Sequence, residues 1–562
     1  MKTKATRHLA DPTGPWLTEG QPDEVWAEQD QAQSKCTGNG GKNMGDAVRL
    51  SSLDASFLYM ETPEMPMHVG SLSLFQLPDG YTGDYFEAFK AQIEDRLDAV
   101  PMLRKKLSRT LLDLDHPSWI DDEQFDINRH IFRGSLPEPR DMATLRRIVG
   151  WMHAKLLNRA RPLWEFYVFE NLPGNRVGLY AKLHHALIDG GAGVALSQIV
   201  YDLTPNPAPR AKVAKAGEPE GTGGKSKKKG RAREVAASVM NTYANLWQRP
   251  FDKEAAASPV SLKRTGKTDF GSTVLDHVVD QVEVGMKTVA NLPAMLKTAG
   301  SVLPGLLDVS KLKELPKLIP PSTPFNKAIS SERAFGTATL SIKRAKAVAK
   351  AAGGKLNDVV LALASGILRR HLLSIGALPD KPLVAMVPIS LREEGNSDTN
   401  NQAFAMSCPI ATHIADPKER LTAIIADSVQ AKSVVSPLKD FIPNFTNASV
   451  LGAPMAMQIG SLLYGRSGLS DVLPPSANVI VSNVPGPPIP LYAAGATMLH
   501  LWPVSIPAHG MSINITVQGY QDQLEVGVIA GANIFPDVQP LADMMAEELA
   551  ALERAFETAK AA

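Results

Sequence analysis

The stretch that most constrains this chain is Val177-Gly178-Leu179-Tyr180-Ala181-Lys182-Leu183-His184-His185-Ala186-Leu187-Ile188-Asp189-Gly190. It starts as an alternation and ends in two histidines, an aspartate and a glycine. A strand sends successive side chains to opposite faces. His185 therefore shares a face with Val177, Leu179, Ala181 and Leu183, while His184 sides with Tyr180 and Lys182. The two imidazoles cannot enter one cavity while the strand continues, so His185 is expected at the mouth of an apolar surface. Upstream, Pro162 to Glu170 reads as a strand opened by a proline. Asn171-Leu172-Pro173-Gly174-Asn175 reads as the turn that pairs it with the histidine strand.

Around this stretch lies a chain of 562 residues, long enough for about two to four domains. With 44% hydrophobic and 21% charged residues it reads as globular. Fifty-nine basic residues against 58 acidic ones leave a formal charge of +1, which gives no global field for nucleic acid. Cys36 and Cys408 lie far apart in unlike contexts, so neither a disulfide framework nor a zinc site is expected, and a reducing cytoplasm fits. No apolar run reaches the length of a membrane span, and the N-terminus lacks the apolar core of a secretory signal. Contact with a membrane is expected from the side only.

Composition divides the chain into five parts. Residues 1–45 read as a flexible tail, with Met44 a candidate translation start. Residues 46–204 read as a first folded unit. Its helices are expected at Leu53 to Leu58, Tyr85 to Asp98, Leu145 to Ala160 and Val194 to Leu203, with a strand from Met67 to Phe75. Residues 205–262 form a linker or insertion whose basic run, 205–233, reads either as solvated chain or as a segment attracted to anionic head groups. In 263–325, apolar residues interspersed with lysines and cut by prolines fit connecting helices, facing either a core or a lipid surface. Residues 326–562 read as a second folded unit. Strands are expected at Phe335 to Ile342, Leu383 to Ile389 and Asn478 to Val484, and a hairpin from Met511 to Ala530. Helices are expected from Ile342, from Leu356 and from Val538, with Asn357 or Asp358 capping the second. Strands and helices mix in both halves, which predicts an α+β fold with two comparable domains.

Several chemistries compete for the histidine stretch. A metal site needs three converging ligands, and His184, His185 and Asp189 do not converge from a strand. The glycines after Asp189 lack a dinucleotide fingerprint, and no Gly-x-Ser-x-Gly elbow occurs anywhere in the chain. Paired histidines can also be plain core and turn residues. General-base catalysis remains: an imidazole near neutrality can take the proton from an alcohol that attacks an activated acyl carbon. Asp189 is placed either to orient that imidazole or to brace the loop through an arginine such as Arg392.

His184-His185-Ala186-Leu187-Ile188-Asp189-Gly190 matches an HHxxxDG motif. In chain order stand Leu53-Asp54-Ala55-Ser56-Phe57, Pro66-Met67-His68-Val69-Gly70, Pro162-Leu163-Trp164, Asn357-Asp358-Val359-Val360, Val387-Pro388-Ile389-Ser390-Leu391-Arg392 and Ser482-Asn483-Val484-Pro485-Gly486-Pro487. The ordered set, over about residues 46–558, resembles the bacterial wax ester synthase/acyl-CoA:diacylglycerol acyltransferase family.

That resemblance implies two chloramphenicol-acetyltransferase-like domains with the active site in a tunnel between them. It implies acyl-CoA as co-substrate with no further cofactor or metal, and a long-chain alcohol or diacylglycerol as acceptor. His185 would be the base, with His184 beside it, Asp189 mainly structural and Asn357 supporting the site from the second domain. Gly190, Pro162, Leu163, Trp164, Asp358 and Gly495 would lie at or near the substrate channels. The expected location is the cytoplasm, peripherally on the inner membrane or on lipid inclusions. A carrier-protein-dependent condensation enzyme and a non-catalytic lipid-droplet protein are the alternatives. The long tail and the 205–233 insertion depart from the family's usual length.

Overall fold

The computed structural model describes residues 47–108, 116–187, 197, 199–207, 319–390, 403–435, 461 and 463–557. The expectations for 1–45, for Asp189, Gly190 and Arg392, and for most of 205–262 and 263–325 lie outside these residues. So do residues 194–196 and 198 of the helix expected from Val194 to Leu203.

The first half runs β1 (Val48–Arg49), α1 (Ser52–Met60), β2 (His68–Gln76), α2 (Tyr85–Arg96), β3 (Lys105–Leu107), β4 (Ser118–Asp121), β5 (Ile131–Gly134), α3 (Met142–His153), β6 (Trp164–Leu172) and β7 (Arg176–His184). The second runs β8 (Arg333–Ser341), α4 (Ile342–Ala352), α5 (Leu356–Ser374), β9 (Val384–Ser390), β10 (Ala403–Pro409), α6 (Pro417–Val435), α7 (Leu469–Val472), β11 (Val479–Val484), β12 (Tyr492–Ala493), β13 (Ala496–Val504), β14 (Ile513–Tyr520), β15 (Gln523–Gly531) and α8 (Gln539–Ala555). Helix starts follow local chemistry. Ser51, Asp84 and Asp141 each accept an amide of the first turn of α1, α2 and α3, satisfying donors the helix itself leaves open.

Two six-stranded sheets carry the architecture, in the orders β12-β13-β2-β7-β6-β5 and β10-β9-β11-β14-β15-β8. A small three-stranded sheet, β1-β4-β3, flanks the first. The β6–β7 hairpin forms as the sequence predicts, its turn bearing positive φ at Asn171, Gly174 and Asn175. Mixed sheets and helices in both halves give the expected α+β fold.

The alternation in β7 sorts its side chains between two cores. Val177, Leu179, Ala181 and Leu183 join Tyr85, Phe86, Phe89 and Ile93 of α2 in the core of the first half. Tyr180 faces the other way, into a cluster that also holds Phe335 and Ile529 of the second half. A separate core under α5, α6 and α8 fills the second half. At about 25 cal/mol per Å² of apolar area removed from water, this two-sided burial makes β7 one of the best-held strands.

The structure departs from the sequence reading in four places. The helix expected over 145–160 ends at His153, because the carbonyls of Met152 and Lys155 turn onto the buried Lys182 ammonium. Helix α5 has Lys355 at its N-cap position, and Asp358 acts from the third helical position by accepting the Lys355 amide at 2.8 Å. Strands β1, β3, β4, β5 and β10 and helices α6 and α7 carry no expectation from the sequence. Finally, β12 and β13 cross over to complete the sheet of the first half, so the stretch 326–562 does not build one self-contained sheet. Pro503 and a register shift between Met498 and His500 obscure β13 in the sequence, since proline and broken alternation both read against a central strand.

Candidate active site

His184 is the last residue of β7, and His185 is the first beyond it. The ladder outlasts the strand by one bond. His68 of β2 pairs with His184, and the His185 amide still donates to Met67 O at 2.8 Å. The expected split of the imidazoles follows. His184 is fully buried, while His185 keeps some exposure.

The His184 ring is held on both sides. Its Nδ1 accepts the Ala186 amide at 3.0 Å, so that nitrogen carries the lone pair and the proton resides on Nε2. Nε2 lies 3.3 Å from Glu61 Oε1, off the axis of a good hydrogen bond. The two histidines differ in what holds them. The His185 ring stacks on Phe57 with centroids 3.8 Å apart and planes 15° apart. Its Nδ1 is buried without a partner among the described residues. Burial pushes its pKa down to about 4, and the neighbouring His184 adds to the push. His185 is therefore a neutral imidazole at physiological pH, free to accept a proton.

Glu61 follows α1 directly and is buried. Its Oε1 also accepts the Met67 amide at 3.1 Å, and Oε2 takes Arg159 Nε at 3.1 Å and Nη2 at 2.8 Å. Burial pushes its pKa up, but His184, Arg159 and the Met67 amide outweigh that push and hold it at about 2. A fixed carboxylate thus stands behind the histidine pair.

The face of β7 bearing His184 continues as a buried polar row. Lys182 donates to Met152 O at 3.2 Å and Lys155 O at 2.6 Å, and its Nζ lies 3.4 Å from Glu165 Oε2. His153 Nδ1 meets Tyr180 Oη at 2.7 Å, and its Nε2 meets Ser505 O, in the second half, at 2.9 Å. Burial pushes His68 and His153 well below the usual histidine range, with the Lys182 charge acting in the same direction.

The other expected residues separate into two groups. Pro162, Leu163 and Trp164 are buried at the head of β6. Leu163 O accepts the His184 amide at 3.0 Å, and Trp164 Nε1 donates to Leu103 O at 2.8 Å. These three support the histidines from the strand next door. Asn357 is half-buried at the start of α5, and its amide has no partner among the described residues. Both oxygens of Asp358 are engaged, Oδ2 by the Lys355 amide and Oδ1 by the Ser428 hydroxyl at 2.8 Å. Gly495 is the second residue of the tight β12–β13 turn and has φ 82°, which a side chain would strain. Asp189 and Gly190 lie outside the described residues.

Phe57, Glu61 and Met67 complete the surroundings of the histidines, and none was marked as a site residue by the sequence. Phe57 and Met67 lie inside ordered motifs, which was the available signal. The spacing of Phe57 and Glu61, four residues apart, places both on one helical face. Gly70, in the same motif as Met67, has its own reason: a Cβ there would lie 2.1 Å from Ala181 O of β7. The histidine end of β7 also adjoins a small apolar cluster shared by the halves, with Phe57, Met60, Met65 and Met67 from one side and Ile329, Ile506, Ala508 and Ile534 from the other. A shallow apolar depression beside α3, lined by Arg147, Trp151 and Phe169, includes none of these residues. No described helix is by itself long and apolar enough to cross a membrane.

Residues 50–360 match the family model of the wax ester synthase/diacylglycerol acyltransferase catalytic domain, and residues 399–553 match that of the WS/DGAT C-terminal domain. A putative diacylglycerol O-acyltransferase of Mycobacterium tuberculosis strain CDC 1551 / Oshkosh is 33% identical over 508 residues, covering 90% of this chain and 99% of that protein. Another, from strain H37Rv, is 34% identical over 511 residues, covering 89% of each. The solved wax ester synthase/diacylglycerol acyltransferase from Marinobacter aquaeolei VT8 has a TM-score of 0.60 and 26% identity, covering 91% of this chain and 100% of that one. The chain is an acyltransferase and belongs to the wax ester synthase/diacylglycerol acyltransferase family.

Proposed function

We propose that the protein transfers a fatty acyl group from acyl-CoA to the free hydroxyl of diacylglycerol, with long-chain alcohols as a second acceptor class and His185 as general base. The observation that carries the reading is the His185 ring at the end of β7: neutral, and clamped against Phe57. The names of the mycobacterial relatives support diacylglycerol as the first acceptor.

In this mechanism the acceptor hydroxyl gives its proton to His185 Nε2 as its oxygen bonds to the thioester carbon. The intermediate collapses with cleavage of the C–S bond. The imidazolium returns the proton to the CoA thiolate, leaving ester and free CoA. Asn357, with its uncommitted amide, is the proposed donor to the developing oxyanion. Asp189 keeps the mainly structural role that the family resemblance implies, and Gly190 a place near the substrate channel. The residues from Pro162 to Trp164 border a substrate channel, as does Gly495, and Asp358, with both oxygens engaged, braces the channel wall without touching the reacting groups. The apolar, methionine-rich cluster at the seam fits a fatty chain, since thioethers adapt to irregular apolar shapes. The protein works in the cytoplasm at the surface of the inner membrane or of lipid inclusions, where its acceptors reside.

The test follows CoA release with a thiol reagent, using oleoyl-CoA with either dioleoylglycerol or hexadecanol in mixed micelles. We expect acceptor-dependent release that is greater with dioleoylglycerol. His185→Ala should lower it about 10²–10⁴-fold, the range for loss of a general base. Near-normal release from that variant, or release only from a carrier-protein thioester, overturns the proposal.

A further inference from the structure

The turn that follows α1 reaches the catalytic histidine at three points. Phe57 stacks on the His185 ring at 3.8 Å. Glu61 Oε1 accepts the amide of Met67, the residue whose carbonyl takes the His185 amide at 2.8 Å. The same Oε1 stands 3.3 Å from His184 Nε2, whose ring fixes the Ala186 amide on its other side. The backbone before and after His185 is thus referenced to one carboxylate oxygen. Arg159 anchors the other oxygen and ties itself to Leu58 O at 2.7 Å.

We infer that Glu61 is a positioning residue for acyl transfer: its Oε1 holds the Met67 backbone and backs the His184 ring, and through both it aims His185. This rests on the reading of His185 as the base. Glu61 does not touch the reacting atoms. Its work is geometric, so the reach of the acceptor atom matters more than its charge. A displacement of about 1 Å at a catalytic group can cost on the order of 10²-fold in rate.

Three substitutions separate reach from charge. Glu61→Ala removes both, and Glu61→Asp keeps the charge but withdraws the oxygen by one methylene. Glu61→Gln keeps the oxygen in place and loses the charge. We expect the alanine and aspartate variants to lose about 10²-fold in kcat, with KM for oleoyl-CoA within about threefold of wild type. Glutamine should restore the rate to within about threefold, although it loses the Arg159 ion pair as alanine does. A purely structural role gives the opposite order: aspartate, which keeps the ion pair, would outperform glutamine, and losses would follow Tm. If the alanine variant does not fold, the contrast between glutamine and aspartate alone decides. Aspartate equal to or better than glutamine, with His185→Ala inactive, overturns the role of Glu61 and leaves the base intact. Turnover by His185→Ala overturns the base itself.

Discussion

The end of β7 and the start of α5 each carry a pair of adjacent polar residues, and each pair is divided in the same way. In His184–His185 the first member is fully buried, with Nδ1 held by the Ala186 amide and Nε2 backed by Glu61, while the second keeps some exposure and is held by its stack on Phe57. In Asn357–Asp358 the order is reversed. Asp358 is engaged by Lys355 and Ser428, and the Asn357 amide is uncommitted among the described residues. The locking differs in kind. On the strand, alternation sends one side chain into the interior and leaves its neighbour at the strand's end. On the helix, the third position can reach back to the N-cap amide, whereas the second lies on another face. Buried polar groups that are fully partnered hold structure, and those left open at a seam are available for chemistry.

The sharpest way to break this comparison is to remove one locked and one open residue. His185→Ala should lower kcat about 10²–10⁴-fold with little change in Tm. Asp358→Ala should cost about 1–3 kcal/mol of stability, because it removes the acceptor of the Lys355 amide and one of the two acceptors of the Ser428 hydroxyl, while folded molecules keep their kcat. Thermal melts read beside CoA release check both. If Asp358→Ala also lost 10²-fold in kcat without losing stability, the carboxylate would belong to the chemistry.

A smaller effect comes from pH. His68, His153 and His185 all have folded pKa values below the ordinary histidine value, so between the two values the unfolded chain binds more protons than the native one. Their stabilising contribution is complete above about pH 6.5 and is lost as pH falls below it, toward about 4 for His185. Glu61, depressed from 4.5 to about 2, adds its loss only below about pH 4.5, so the histidines alone act between pH 7 and pH 5. Tm should therefore drop by on the order of 5 °C from pH 7 to pH 5. The kcat/KM of folded enzyme should stay flat over that range, because His185 is still unprotonated. An activity loss centred near pH 6.5 in fully folded protein would show that His185 titrates as a free imidazole. The smallest effect is expected for Phe57→Leu, which keeps apolar contact but forfeits the stack. It should lower kcat about 2–10-fold, matching about 0.5–1.5 kcal/mol of ring interaction.

Much of this was legible in the chain. The period-two pattern from Val177 to Leu183 placed β7, its two faces and the split between the histidines, because a strand buried on both sides leaves little freedom of register. The Pro162 strand, the Asn171–Asn175 turn and the α4 and α8 helices were readable for similar local reasons. Other features were not. The boundary of α3 depends on Lys182, a residue on another element, and β13 hides behind Pro503 and a register shift.

What the sequence determined by itself was local: where strands and helices form, and that His185 stands on the apolar side of a strand's end. The ordered motifs added a family resemblance that the comparisons bear out. Only the tertiary structure decided what surrounds that histidine. Phe57, on α1, and Glu61, just after it, lie more than a hundred residues upstream, and no periodicity encodes their contact with the end of β7. Met67 joins them only because β2 pairs with β7 in one register. Alternation and capping are set by neighbours in the chain, whereas the stack, the carboxylate and the strand from the second half are set by packing between distant elements. That is why His185 was visible in the sequence and the residues that surround it were not.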